Sequence, residues 1–213
     1  MTYTVMKIIS RVLVVFLLLP VHEFAHAWAA YKLGDYTANY SGRLTLNPFA
    51  HLHPIGTLLL ILTGYGWANP VPVNPRNFKD SKIGMGLTAL AGPVSNILMS
   101  FVLLLVYKGL TFIPTYTYRA ENVIMIIMQV LRFMAQTSVV LAVFNLIPVP
   151  PLDGSRVLGL ILPDKIYFKI MQYERYIYIG LMVLVFIGAL DGPIFWASDA
   201  IFDLLLNLTG LGG

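Results

Sequence analysis

The stretch VLVVFLLLPVHEFAHAWAA, residues 12–30, decides how this chain is read. It is apolar enough for a membrane span, yet it carries His22, Glu23 and His26. No glycine interrupts residues 5–33, which predicts one long helix. At 1.5 Å per residue that helix measures about 43 Å, enough to cross a hydrocarbon layer of about 30 Å while tilted. HEFAH then lies toward its C-terminal end, still inside the span. Ionisable groups at that depth are costly and mark function more often than packing.

Working outward, the whole chain fits a membrane. Its 213 residues are 58% hydrophobic and only 11% charged, against about 25% charged in a soluble domain. We read residues 1–213 as a single domain of an all-α, polytopic membrane protein. Lys and Arg are scattered rather than clustered, so no nucleic-acid partner is expected, and the lipid bilayer is the expected surroundings. There is no cysteine, which excludes a disulfide framework, a thiolate metal site and a cysteine nucleophile. Any metal must be held by His, Asp or Glu.

After the first helix, YTANYSGRLTLNPFA (36–50) alternates loosely around Ser41-Gly42 and suggests a small β-hairpin. The apolar run Ile55–Thr63 is too short to span and suggests a re-entrant or interfacial segment. Residues 64–80, rich in Gly, Pro and Asn, read as loop. A second span is expected over about 82–107, with Gly84, Gly86, Gly92 and Ala91 allowing close helix approach. A loop over 109–121, a third span over about 122–146 and a fourth over about 166–190 follow. The last segment, 193–211, holds Asp199 and Asp203 and is expected on the surface, with a fifth span as the alternative. That makes about four transmembrane helices.

The chemistry begins with His22 and His26. Their i, i+4 spacing puts two imidazoles on one helix face, one turn apart, where they can grip one Zn²⁺ per chain. Glu23 lies about 100° around the helix and can reach a water at the metal without being a ligand. This is the HExxH arrangement of zinc hydrolases. A catalytic zinc takes three protein ligands and leaves one position open. The candidates for the third are Asp153, His51, His53, Asp35 and Glu174. Asp153 leads, because Pro148, Pro150 and Pro151 end the third helix and the Leu152-Asp153-Gly154 turn can aim a carboxylate back at the bundle. His51 and His53 read first as interfacial loop residues.

HEFAH in an apolar helix, AGPVSN at 91–96 in a second span and NLIPVPPLDG at 145–154 after a third together resemble the site-2 protease family of intramembrane zinc metalloproteases. The stretch RLTLNPFAHLHPIGTLLL resembles that family's short bacterial and archaeal branch, and 213 residues leave no room for PDZ-like or CBS-like additions. One departure stands out. The branch's HxDPxG loop reads His51-Leu52-His53-Pro54 here, with His53 in place of the aspartate. The resemblance implies that His22, His26 and Asp153 hold zinc and that Glu23 is the general base. Asn145 would steady the substrate backbone, and Asn96 would serve packing or substrate contact. The hairpin at Ser41-Gly42 would be a membrane-associated β element whose edge pairs with an extended substrate. The implied activity is regulated intramembrane proteolysis: hydrolysis of peptide bonds within or near transmembrane segments by zinc-activated water.

Charge counting sets the expected topology. With the N-terminus outside, Lys32, Arg43, Arg76, Lys79, Lys82, Arg156, Lys165, Lys169 and Arg175 face inward. Lys7, Arg11, Lys108, Arg119 and Arg132 face outward. Nine of the 14 basic residues inside against five outside favours a cell-membrane protein with its N-terminus out and its site in the cytoplasmic half. Three other readings compete. Lys7 and Arg11 before an apolar run, with small residues at 25–29, outline a signal peptide; cleavage there would separate HEFAH from its partners. The same polar residues could line a cation path in a transporter. A non-cleaving scaffold would have no use for Glu23.

Overall fold

The computed structural model describes residues 3–63, 66, 68–114 and 116–212. Of the loops expected over 64–80 and 109–121, residues 64, 65, 67 and 115 lie outside the described residues. The first helix forms in three pieces: α1 (Tyr3–Leu13), one π-helical turn (Val14–Leu18) and α2 (Leu19–Lys32). Pro20 stands in the first turn of α2 and has no N–H to give the preceding turn. A wide turn there is one way a helix absorbs the missing bond. HEFAH follows immediately.

The segment after α2 departs from expectation. There is no β-hairpin over 36–46, and no strand among the described residues; one isolated bridge joins Leu52 and Ala68. Thr37–Tyr40 instead forms a single helical turn, α3. Ser41-Gly42 is its C-terminal stop. Gly42 sits at φ +67°, its N–H donates to Asn39 O at 3.0 Å, and the Arg43 N–H donates to Ala38 O at 2.8 Å. That is the bonding of a left-handed helix cap. A left-handed glycine serves a hairpin equally well, and the alternating residues beside it have no partner strand to choose the hairpin. With no strand there, no strand edge is offered to a substrate.

Asp35 organises this region. It is fully buried and accepts from Thr37 N and Oγ1, from Asn74 N at 2.7 Å and from Asn77 Nδ2 at 2.7 Å. Burial pushes its carboxyl up, but these donors outweigh burial and hold it below its ordinary value. A lowered folded-state pKa stabilises the fold above the unfolded value of about 3.9, and that stabilisation is lost as pH falls through the folded pKa. Asp35→Asn is therefore expected to flatten the acid limb of stability below about pH 4. It is also expected to lower stability near neutrality by about 1–3 kcal/mol. Thermal melts across pH check both.

Next come α4 (Pro48–His51), capped by Asn47, and α5 (Pro54–Thr63). Ten residues make α5, about 15 Å long, too short to span. Its last carbonyls are met from α1, where Arg11 Nη1 donates to Ile61 O at 3.2 Å and Leu62 O at 3.0 Å.

The long helix α6 (Ser81–Thr111) starts at Asp80, which accepts from the Lys82 and Ile83 N–H groups. It packs against α2, α7 (Tyr118–Asn145), α8 (Asp153–Ile161) and α11 (Asp191–Thr209). The first, second and third long helices are each long and apolar enough to cross a membrane. The expected fourth span is not one helix. It breaks into α9 (Asp164–Gln172) and α10 (Glu174–Phe186), separated at Tyr173 beside a polar run. With α11, bent 81° from it, α10 makes up a possible fourth crossing. The last segment does not lie apart from the bundle: Phe202 and Leu205 of α11 are buried with Leu104, Ala135 and Val139. The long helices alternate in direction. Lys82, at the start of α6, bonds Leu162 O and Asp164 at one end of the bundle. Lys108 bonds Thr209 O at the other.

Candidate metal centre

Three elements converge on one point. α2 brings His22 and His26, one turn apart, with 6% and 8% of their surface exposed. The turn between α7 and α8 brings Asp153, the first residue of α8. Gly154 lets that turn close, because a Cβ there would stand 2.5 Å from Ile147 O and strike the Leu146 carbonyl as well. One ligand atom from each of the three residues lies within 4.8 Å of the others. The imidazole Nε2 atoms are 3.0 Å apart, and Asp153 Oδ2 lies 3.4 Å from His22 Nε2 and 3.3 Å from His26 Nε2.

This donor set fits a cation. His26 Nδ1–H donates to Thr88 O at 2.8 Å, which leaves the Nε2 lone pair facing the cluster. A second imidazole nitrogen and a carboxylate oxygen face the same point. Asp153 Oδ2 is buried without a hydrogen-bond partner among the described residues. Two nitrogens and one oxygen also suit zinc, which takes both and tolerates an open fourth position. Such an orienting bond on the outer nitrogen of a ligand imidazole is the usual support of a metal site.

Helix α6 forms the wall behind the imidazoles. A Cβ on Gly92 would fall 2.6 Å from His22 Cε1 and also overlap the His26 ring, so only glycine lets the backbone come this close. Gly92→Ala is expected to push α6 from α2, costing about 1–3 kcal/mol of stability and weakening metal binding at least 10-fold. Thermal melts and chelator competition read the two effects.

The remaining candidates lie elsewhere. Asp35 is committed to its loop. His51 is fully buried, with Nε2–H donating to Thr45 O at 2.9 Å. His53 Nδ1 accepts from the Gly56 N–H at the start of α5. Glu174 faces Arg156 at 3.8 Å. Glu23 is buried on α2 next to His22, with 8% exposure, and is not one of the converging atoms. Asn145 closes α7 and donates through Nδ2 to Leu141 O at 2.9 Å. Asn96 is buried in α6 with neither side-chain atom paired among the described residues. The Thr88 carbonyl was not legible beforehand, since a backbone acceptor leaves no mark on residue type.

Comparison with known proteins points to the same metal. Residues 113–188, which include Asn145 and Asp153, match Peptidase family M50. The chain is 39% identical over 193 residues to "Putative zinc metalloprotease YwhC" of Bacillus subtilis, covering 88% of this chain and 84% of that relative. It is 29% identical over 188 residues to "Putative zinc metalloprotease Rip2" of Mycobacterium tuberculosis, covering 86% of this chain and 69% of that relative. No solved structure matches it.

Proposed function

Because the chain belongs to peptidase family M50, the site-2 protease family of zinc metalloproteases, we propose that it cuts membrane-tethered substrates within or near their transmembrane segments. In this reading His22, His26 and Asp153 hold the zinc and Glu23 is the general base. The observation that carries it is the convergence of those three donor atoms at a buried point between helices long and apolar enough to cross a membrane.

Zinc, when bound, acts as a Lewis acid on water and on the scissile carbonyl. The chain's own residues do the rest. Thr88 O fixes the His26 tautomer and ring. Glu23 takes a proton from the attacking water and returns it to the leaving nitrogen. Asn145 spends its amide N–H on Leu141 O and keeps its amide oxygen for a substrate backbone N–H. Polar groups at membrane depth need a water-lined cavity, so the substrate must reach the site locally unwound, its carbonyl released from the helix ladder.

The protein is multi-pass. The N-terminus lies outside and the site in the cytoplasmic half, as the nine-to-five distribution of basic residues supports. The absence of native cysteine makes this simple to test: a single cysteine replacing Lys82 should resist a membrane-impermeant thiol reagent added outside cells, and one replacing Lys108 should react. The opposite labelling would invert the topology.

The activity is tested in liposomes containing the purified protein and a fluorescent transmembrane peptide, with products sized by mass spectrometry. Cleavage inside or beside the apolar segment, stopped by a zinc chelator and restored by zinc, is expected. Intact peptide with zinc-loaded protein, across substrates with and without helix-weakening Gly and Pro, would overturn the proposal.

A further inference from the structure

The two imidazoles at the centre are supported unequally. His26 Nδ1 has its acceptor, Thr88 O at 2.8 Å. His22 Nδ1 is buried with no hydrogen-bond partner among the described residues. A ligand imidazole nearly always gives its outer N–H to a carbonyl, carboxylate or water. Leaving it unpaired inside the bundle forfeits its hydration with nothing in return. A partner is therefore missing from the bonds seen around His22.

The candidate stands on the wall that already touches this ring. Thr88, Gly92, Asn96 and Ser100 follow one another at i+4 on α6, and all four are buried. The Gly92 position meets His22 Cε1, the carbon between Nδ1 and Nε2. α2 and α6 run antiparallel, with His26 against Thr88, so His22 lies toward Asn96. Residues at i and i+4 on a helix have Cβ atoms about 5–6 Å apart, a span that an amide and one water cover. Asn96 is 1% exposed, and its Oδ1 and Nδ2 are both without partners among the described residues. Its backbone carbonyl is taken by Ser138 Oγ at 2.7 Å, which ties that turn of α6 to α7. Helix register thus places a donor without an acceptor and an amide with neither bond made, among the described residues, on neighbouring turns of the α2–α6 contact. A buried water is stable where two or more polar groups meet it.

We propose that Asn96 is the positioning residue for His22: one buried water accepts from the Nδ1–H and donates to Asn96 Oδ1, the support that Thr88 O gives His26 directly. This rests on the zinc site proposed above. It gives Asn96 a role distinct from packing and from substrate contact: it holds the His22 Nε2 lone pair toward the metal.

The test measures zinc affinity by chelator competition on purified, full-length protein, with Asp153→Ala as the reference for loss of a ligand. Asn96→Leu, similar in volume but with no acceptor, is expected to weaken zinc binding 10- to 100-fold. Asn96→Asp, which keeps the acceptor, is expected to stay near wild type. A second readout is the His22 Nδ1 proton in ¹⁵N-histidine-labelled, zinc-loaded protein. It should be protected from solvent exchange in wild type and exchange faster in Asn96→Leu. If Asn96→Leu does not fold, Asn96→Ala carries the same expectation, with at least a 10-fold loss. Wild-type affinity in the folded Leu or Ala variant, while Asp153→Ala loses zinc, would overturn this inference and leave the site standing. No zinc binding in wild type would overturn both.

Discussion

Glu23→Gln is expected to lower turnover by about 10²- to 10⁴-fold while zinc stays bound at about one per chain, the load expected of one three-ligand site. The substitution keeps the shape and hydrogen-bonding reach of a buried side chain and removes its ability to take a proton. Glu23 lies outside the converging set of His22, His26 and Asp153, so the metal loses no ligand. The neighbours of position 23 on α2 also stay as they are: His22 packs on Gly92 and His26 bonds Thr88 O. Elemental mass spectrometry on the variant, paired with cleavage kinetics in liposomes, checks both halves. Zinc lost with activity would make Glu23 a ligand. Activity retained would assign the base to another group.

Asp153→Ala is expected to do the reverse and remove the metal itself. The carboxylate supplies the one oxygen donor and the one formal negative charge among the three converging groups, 3.3–3.4 Å from the two imidazole nitrogens. Without it, two neutral rings 3.0 Å apart must hold a divalent cation alone. Zinc affinity should fall by more than the 10- to 100-fold that follows loss of an orienting group, and cleavage should disappear with it. The fold should survive, because Asp153 Oδ2 has no hydrogen bond to lose among the described residues and alanine suits the first turn of α8. A melting transition like wild type with no zinc in the sample is the expected pair of results. Full zinc occupancy in Asp153→Ala would send the search for the third ligand elsewhere.

The parts of the site legible in sequence were those written in side-chain chemistry. His22 and His26 declared a shared face through their spacing, and Asp153 through the prolines that stop α7 and the glycine after it. Thr88 was invisible because its contribution is a carbonyl. Gly92 could be read as a close approach of helices, but not as the seat of the imidazoles, since that depends on how α6 crosses α2. The three long helices were plain from uninterrupted apolar length. Failure came where local signals are shared between structures. Gly42 caps a helical turn with the left-handed backbone that a hairpin also needs. Residues 166–190 are apolar in sum, yet the polar stretch around Gln172-Tyr173-Glu174 divides them into two helices. Asp199 and Asp203 suggested a surface segment, but they occupy exposed positions on α11, whose other face buries Phe202 and Leu205 against α6 and α7. In sequence Asp35 reads as a candidate ligand, because a lone acid near a metal motif looks like one. Only the fold reveals the donors from residues 37, 74 and 77 that occupy it.

If His22, His26 and Asp153 together hold zinc, the metal's own scattering carries their signature. X-ray absorption at the zinc edge of the purified wild-type protein tests it most directly. The expected first shell is nitrogen and oxygen only, at about 2.0–2.2 Å, with the outer-shell scattering of two imidazole rings. Protein without zinc, or a shell with scattering from fewer than two imidazoles, would contradict it.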